Sequence, residues 1–345
     1  MDSGISISLR PFDQSIREAY RSLFPDDPDK TSEMLDWRFR RNRHGEAKFA
    51  VASVDDRIVG LIALVPTRLH SASGELLGYQ AIDTAVHPSF RGRGLFVEMG
   101  KLAQDPRELG GEVLWGFPNA NAAPGWYGRL GWTNFGAVPL LMRPLRSSFL
   151  LGRLHPMLRK IDLPLIRDRV SPATAYDDGA ELSGDVDQLW RRIAPQFGIA
   201  VDRSGEWMRW RLIDKPGASY RCVGQKSGAG ELRAFVAMKL ADKHGGRLCY
   251  IMEAMSDPEC EPILTRMLLA ELSTAARSGA EVALAWCPRS APNYRAYRRA
   301  GFLPVPPRLR PIEINFGARA LREESAAAAQ SGAPWYVSFL DSDTN

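Results

Sequence analysis

Ala85-Val86-His87-Pro88-Ser89-Phe90-Arg91-Gly92-Arg93-Gly94-Leu95-Phe96 is the stretch on which the reading of this chain turns. A β-branched run ends at Pro88, two glycines follow in a turn, and Leu95, Phe96, Met99 and Leu102 recur at helical spacing over Gly94–Ala103. Glycines let the backbone fold around a ligand and point successive N–H groups into one cavity. At a helix N-terminus the aligned peptide dipoles favour an anion such as a phosphate. Arg91 and Arg93 add positive charge. Two familiar phosphate motifs are excluded. A Walker A loop fails because Gly100-Lys101 is followed by Leu102, and the dinucleotide fingerprint fails because Val97 stands where its third glycine belongs.

The segment belongs to a repeated plan. Trp37-Arg38 precedes an alternating apolar run and so does Trp210-Arg211; Gly110-Gly111-Glu112-Val113 has a counterpart in Gly279-Ala280-Glu281-Val282, and Pro118 in Pro288. Tyr127, Gly131 and Trp132 map onto Tyr297, Gly301 and Phe302 at an offset of 170 residues. So long a period means two copies of one domain, not a solenoid.

The first copy reads as a strand (Ile5–Pro11), helices (Ser15–Leu23, Thr31–Arg41), a meander (Lys48–Val54, Arg57–Leu69, Leu76–Val86), the helix after the turn, a short strand (Glu112–Trp115), a helix (Ala122–Leu130) and a final strand (Phe135–Met142). The second repeats that order and closes with strands near Leu309–Ile314 and Trp335–Phe339. Antiparallel strands followed by alternating helix and strand predict an α+β, mixed-sheet fold in two tandem domains. The expected boundaries are 1–143, a linker at 144–172 with prolines 144, 156, 164 and 172, and 173–345.

Strand, Val-His-Pro, Phe-Arg-Gly-Arg-Gly, helix, strand, and later Trp126-Tyr127-Gly128-Arg129-Leu130-Gly131-Trp132 resembles the GNAT (Gcn5-related) N-acetyltransferase superfamily, with its Gln/Arg-x-x-Gly-x-Gly/Ala signature and a Tyr four residues before Gly-Phe. The resemblance covers about residues 5–143 and, more weakly, 173–315. Phe96 replaces the usual small residue and Trp132 the usual Phe. It implies an acyltransferase that moves an acetyl or short acyl group from acetyl-CoA or another acyl-CoA to a primary amine, without a metal. By the same resemblance the pyrophosphate rests on the backbone of Arg91, Gly92, Arg93, Gly94, Leu95 and Phe96. The thioester carbonyl accepts from an N–H near Val86, Tyr127 protonates the departing thiolate, and Asn121 or Asn119 holds the CoA arm.

For a general base, Asp83 is the first candidate, because a carboxylate inside an apolar strand needs a partner or a role. A bulge is required to bring it to the face of Val86. Asp341 and Asp343, in the acidic tail, are the second, either as substrate-facing groups or as solvated tail residues. Trp37 and Trp210 either line a pocket or anchor their own helices. In the second copy Gly92 and Gly94 fall on Pro262 and Leu264, within Asp257-Pro258-Glu259-Cys260-Glu261-Pro262. Carboxylates repel a phosphate and prolines remove N–H donors. One acyl-CoA per chain is therefore expected, with the second copy as substrate wall or structural cover. The acceptor is expected to be a small amine such as an amino sugar or amino acid. A catalytically silent CoA sensor and an aminoacyl transferase of Fem-like type are the alternatives.

Composition sets the limits. The 345 residues suggest two domains, with 45% apolar and 25% charged residues, which excludes disordered, collagen-like and disulfide-stapled chains. Cys222, Cys249, Cys260 and Cys287 form no C-x-x-C pair and are expected to be reduced and buried. The N-terminus lacks a signal-peptide pattern and no apolar run reaches membrane-spanning length, so a cytoplasmic protein, monomer or homodimer, is expected. The net charge of +5 has an address: residues 143–169 hold seven basic and two acidic residues among many leucines. That segment is expected to lie against the CoA-binding copy or to touch an anionic membrane peripherally. No basic stripe interleaved with aromatics occurs, so nucleic acid is not expected as a partner.

Overall fold

A computed structural model describes residues 4–170, 173–217, 219–243, 245–310 and 314–342. The strands of the first half are β1 (Ile5–Pro11), β2 (Lys48–Val54), β3 (Arg57–Ser71), β4 (Gly74–Val86), β5 (Val113–Gly116), β6 (Thr133–Ala137) and β7 (Leu140–Pro144). Its helices are α1 (Gln14–Leu23), α2 (Ser32–Phe39), α3 (Leu95–Ala103) and α4 (Pro106–Leu109), and α5 (Ser147–Leu154) follows in the connector. The second half holds β8 (Thr174–Ala175), β9 (Ala200–Val201), β10 (Arg221–Lys226), β11 (Leu232–Lys243), β12 (Gly246–Ser256), β13 (Val282–Trp286), β14 (Leu303–Pro304) and β15 (Asn315–Ala320). Its helices are α6 (Gly179–Ile193), α7 (Gly205–Leu212), α8 (Glu261–Arg277) and α9 (Tyr294–Arg299). The mixed α/β class and the doubled plan are as expected.

Two sheets result, ordered β1-β2-β3-β4-β5-β15-β6 and β14-β7-β13-β12-β11-β10-β8, with β9 joined to β3. In both, the meander is antiparallel and one central pair is parallel, β4 with β5 and β12 with β13. Each half lends a strand to the other: β7 pairs with β13, and β15 lies between β5 and β6. The expected continuous strand Phe135–Met142 is broken at Pro139, which cannot donate to a ladder, and its pieces enter different sheets. The strand expected near Leu309–Ile314 starts at Asn315 instead. Trp335–Phe339 makes one bridge, to Ile199, and then a 3-10 turn at Phe339–Asp341.

Helices α1 and α2 cover one face of the first sheet, burying Ile16, Tyr20, Leu35 and Phe39 on Phe49, Leu61 and Ile82. Asp13 and Thr31 cap them by accepting from the Ile16 and Met34 N–H groups. Helix α3 covers the opposite face through Leu95 and Met99, against Ile62 and Leu64. A third core joins the halves and contains Trp37, Trp115, Trp190, Trp207, Trp210 and Trp286. At its centre Trp37 and Trp210 stack with centroids 4.6 Å apart. Each indole N–H donates to the other residue's carbonyl, at 3.0 and 3.1 Å, an approximate two-fold within one chain. The four cysteines are free and buried.

Candidate active site

Strands β4 and β5 pair from Gly78 opposite Val113 to Gln80 opposite Trp115 and then part. The cause lies in β4. Its register against β3 slips between Ile82, opposite Ala63, and Ala85, opposite Leu61, and Asp83 takes φ +48°. A non-glycine residue there is strained by about 1–3 kcal/mol unless its surroundings hold it. They do: Lys30 Nζ donates to Asp83 at 2.5 Å, the Tyr20 hydroxyl donates at 2.9 Å, and Arg38 lies 3.7 Å away. The bulge anticipated from the sequence is present, and of the two readings of Asp83, a partner or a role, the structure displays the partner. Its side chain, 8% exposed, serves as the tie that fixes the α1–α2 arm to β4, and its lone pairs are already engaged by donors.

Beyond the bulge the His87 N–H donates to Val59 O at 2.8 Å, on the β3 side. Strand alternation then turns the Thr84 and Val86 N–H groups toward the open gap. Val86 was expected there. Thr84 was missed, and the signal that could have found it was the carboxylate one residue earlier. The carbonyl of Val86 accepts from Arg91 Nε at 3.1 Å, which anchors the following turn.

That turn is built for an anion. Gly92 and Gly94 have φ of +77° and +79°, and Gly94 caps α3 without a side-chain hydrogen bond. The N–H groups of Gly92, Gly94, Leu95 and Phe96 have no acceptor among the described residues, and 91–94 are exposed. The Arg93 guanidinium lies 5.2 Å from the centre of the Phe90 ring. Phe96, the bulky departure from the family pattern, turns sideways and does not fill the turn. Its ring meets Trp126 edge-on at 5.3 Å and covers Gly125, where a Cβ would approach it to 2.1 Å. These residues fit a pyrophosphate.

Tyr127 sits in a wide helical turn, Pro124–Arg129, closed by Leu130 N–H on Gly125 O at 3.0 Å. Its hydroxyl is buried and has no hydrogen-bond partner among the described residues. Burial pushes the phenol up to about 12. The ring lies over Gly317 of β15, the strand lent by the second half, and Gly317 pairs with Gly116 at the end of β5. Asn119 Oδ1 accepts from the Asn121 and Ala122 N–H groups, so Asn119 shapes this loop and Asn121 is exposed beside it.

The opposite face of the same gap is formed differently. Trp37 is 1% exposed, within the stacked pair, yet it also lines a small cavity of about 40 Å³ between the halves. Asp341 lines it as well and is a core residue instead of a solvated tail. Its side chain accepts from Arg203 at 2.8 Å and from the Ser338 N–H at 2.8 Å, and its carbonyl accepts from Gln80 Nε2 at 2.9 Å. Asp343 lies outside the described residues. Arg203 also donates to Glu253 at 2.9 Å, and Ser338 and Tyr336 donate to the same carboxylate. Glu253, the counterpart of Asp83, is thus likewise tied into a buried network.

In the second half, the end of α8 carries no comparable turn. Asp257 is engaged by Arg192 at 3.1 Å and Arg233 at 3.0 Å, and Glu261 by Arg299 at 2.6 Å. Asp257, Glu259 and Cys260 place ligand atoms close together, but both carboxylates there are taken by arginine.

Residues 12–135 match the family model of the acetyltransferase (GNAT) domain. No curated protein matches the sequence significantly. Among solved structures, Saccharomyces cerevisiae N-myristoyltransferase with bound myristoyl-CoA is similar over 92% of this chain and 84% of its own, at 12% identity and TM-score 0.58. A GCN5-related N-acetyltransferase from Anabaena variabilis is similar over 94% and 75%, at 11% identity and TM-score 0.65. A probable N-acyltransferase from Enterococcus faecalis is similar over 92% and 73%, at 12% identity and TM-score 0.61. At such identities the shared property is the fold. Residues 12–135 are therefore similar to the acetyltransferase (GNAT) domain, and the chain shares, over most of its length, the fold of these three structures.

Proposed function

We propose that this protein transfers an acyl group from acyl-CoA to a primary amine, with one acyl-CoA held by the first half. The observation that carries this reading is the gap between β4 and β5. It has Thr84 and Val86 N–H groups on its edge, an anion-binding turn beyond one end, and the unpartnered Tyr127 hydroxyl at the other side. The turn from Arg91 to Phe96 binds the pyrophosphate through backbone N–H groups. The Thr84 and Val86 N–H groups stabilise the carbonyl oxygen as it becomes an oxyanion. The neutral amine nitrogen attacks the carbonyl carbon, the C–S bond breaks, the sulfur takes the Tyr127 proton, and the proton shed by the amine nitrogen returns to the phenolate by way of solvent; amide and free thiol result. A phenol pushed up to about 12 stays protonated near neutrality and is ready to donate.

The two faces divide the work. Tyr127 packs on the α3 face with Trp126 and Leu130, whereas Gln80, Ile82 and Trp115 project to the α2 face. The amine therefore arrives from the side of α2 and the second half, and the thiol departs on the side of α3. The test is thiol release from acetyl-CoA against an amine panel. Tyr127→Phe should lower kcat by about 10²-fold or more with CoA affinity retained. Gly94→Pro should lower CoA affinity. Turnover unchanged by both substitutions overturns the mechanism, and CoA binding with no turnover on any amine favours a silent sensor.

The connector adds a second reading, peripheral contact with an anionic membrane. Leu150, Leu154, Met157, Ile161, Leu163 and Leu165 are exposed, and Lys160, Arg167 and Arg169 are exposed among them. Its two acids are neutralised, Asp162 by Arg146 at 2.7 Å and Asp168 by Arg277. What remains is apolar and cationic, the chemistry an anionic lipid surface recognises. No helix among the described residues is long and apolar enough to cross a membrane.

A further inference from the structure

The cavity between the halves is walled by Trp37, Trp115, Trp207 and Trp210 and is lined by Asp341 as well. Asp341 is 4% exposed, and while its Oδ2 is held by Arg203 and the Ser338 N–H, its Oδ1 is buried with no partner among the described residues. A buried carboxylate oxygen left unpaired costs about 1–3 kcal/mol or more, so an absent donor is the simplest complement. Indole faces attract a cation, most strongly where water is excluded. A space of about 40 Å³ admits an ammonium or one or two waters, and no sugar ring. Ile82 lines this cavity, and Thr84, whose N–H faces the gap, lies two residues further along the same strand.

The cavity opens beside a cleft of about 610 Å³ that shares Trp37, Asn42 and Trp210 with it and is otherwise lined by Arg40, Arg41, Arg43 and Asp214. Arg40 lies 3.6 Å from Asp36, and Arg43 3.7 Å from Glu206 and 3.8 Å from Asp214. Arg41 is exposed and has no acceptor among the described residues. Arg38 and Arg211 line the inner cavity too, so the surroundings of a bound ammonium are cationic, which suits a molecule that brings its own negative charge.

We propose that the acceptor is a small unbranched amine carrying an anionic group. Its ammonium enters the tryptophan-walled cavity against Asp341 Oδ1, which receives the proton before attack, and its anionic group reaches Arg41 in the outer cleft. The proposal rests on the acyltransferase reading above. The test measures binding of n-butylamine, 4-aminobutyrate and 2-aminoethyl phosphate by titration calorimetry, with and without CoA. Both anionic amines should bind at least tenfold more tightly than n-butylamine. Arg41→Glu should remove that preference and leave n-butylamine unchanged. Asp341→Asn, which can still accept from Arg203, should weaken all three at least tenfold with CoA affinity intact. Because that variant touches a buried ion pair, Val65→Ile, which narrows the cavity and leaves Asp341 in place, should also weaken all three in protein that melts as wild type. Equal binding of the three amines, or no amine binding while CoA binds (the cavity then holding water only), overturns the inference. Failure of CoA itself to bind strikes the acyltransferase reading instead.

Discussion

Replacing Gly317 by alanine tests whether the second half helps to build the catalytic face. A Cβ at this position would lie 2.5 Å from Tyr127 Cε1, 3.1 Å from its hydroxyl and 2.9 Å from Thr133 O. Carbon atoms pack at about 3.5–4.0 Å, so roughly 1 Å must be found. Thr133 is fixed in the β6 ladder opposite Ala318, which leaves the Tyr127 ring to move. Overpacking of this kind costs about 1–3 kcal/mol of stability, and a 1 Å misplacement of a reacting group costs about 10²-fold in rate. Thiol release by the Gly317→Ala variant should therefore show kcat reduced about 10- to 100-fold. CoA affinity should stay near wild type, because the atoms nearest a Cβ at Gly317 belong to Tyr127 and Thr133 and not to the turn at 91–96. The decisive comparison is the double variant with Tyr127→Phe, where the second substitution should add little, since both remove the same donor. A folded Gly317→Ala protein with wild-type kcat, or losses that multiply in the double variant, would falsify the argument.

Three further outcomes are expected. Gly94→Pro cannot hold φ +79° and should raise the CoA dissociation constant at least tenfold, read by fluorescence titration, with the melting temperature little changed; unaltered affinity removes the turn from the site. Burial, with Arg211, Lys239 and Arg38 adding to it, pulls the Lys215 ammonium down to about 6 from 10.5. Between those pH values the unfolded chain holds a proton that the folded chain does not, so stability rises with pH. The urea stability of wild type minus that of Lys215→Met should rise by up to about 1.4 kcal/mol per pH unit between pH 6.5 and 9, and a flat difference refutes the burial. Finally, flotation with liposomes containing phosphatidylserine should retain wild type but not Lys160→Glu/Arg167→Glu/Arg169→Glu; equal recovery in the lipid-free fraction ends the membrane reading.

The doubled plan and the phosphate turn were legible because their signals are local: glycines in a turn, an apolar stripe, an aromatic four residues before a glycine. The kink in β4 was legible for a related reason, since Asp83 stands out in an apolar strand, although its partners Lys30, Tyr20 and Arg38 come from loops and helices that no short window contains. What escaped was pairing at long range. Nothing near Phe135 says that the chain changes sheets at Pro139, because β7 finds β13 about 140 residues away. The surroundings of Asp341 escaped for the same reason. A polar tail looks solvated until Arg203 and Ser338 are brought to it.

The exchange of β7 and β15 makes the chain a clasp. A protease cutting the exposed connector near Met157 would produce two pieces, each holding a strand of the other's sheet. They could separate only by withdrawing β7 from between β13 and β14 and β15 from between β5 and β6. A nicked molecule would therefore stay whole and keep Gly317 beneath Tyr127, while either piece made alone would carry a sheet with a missing stave.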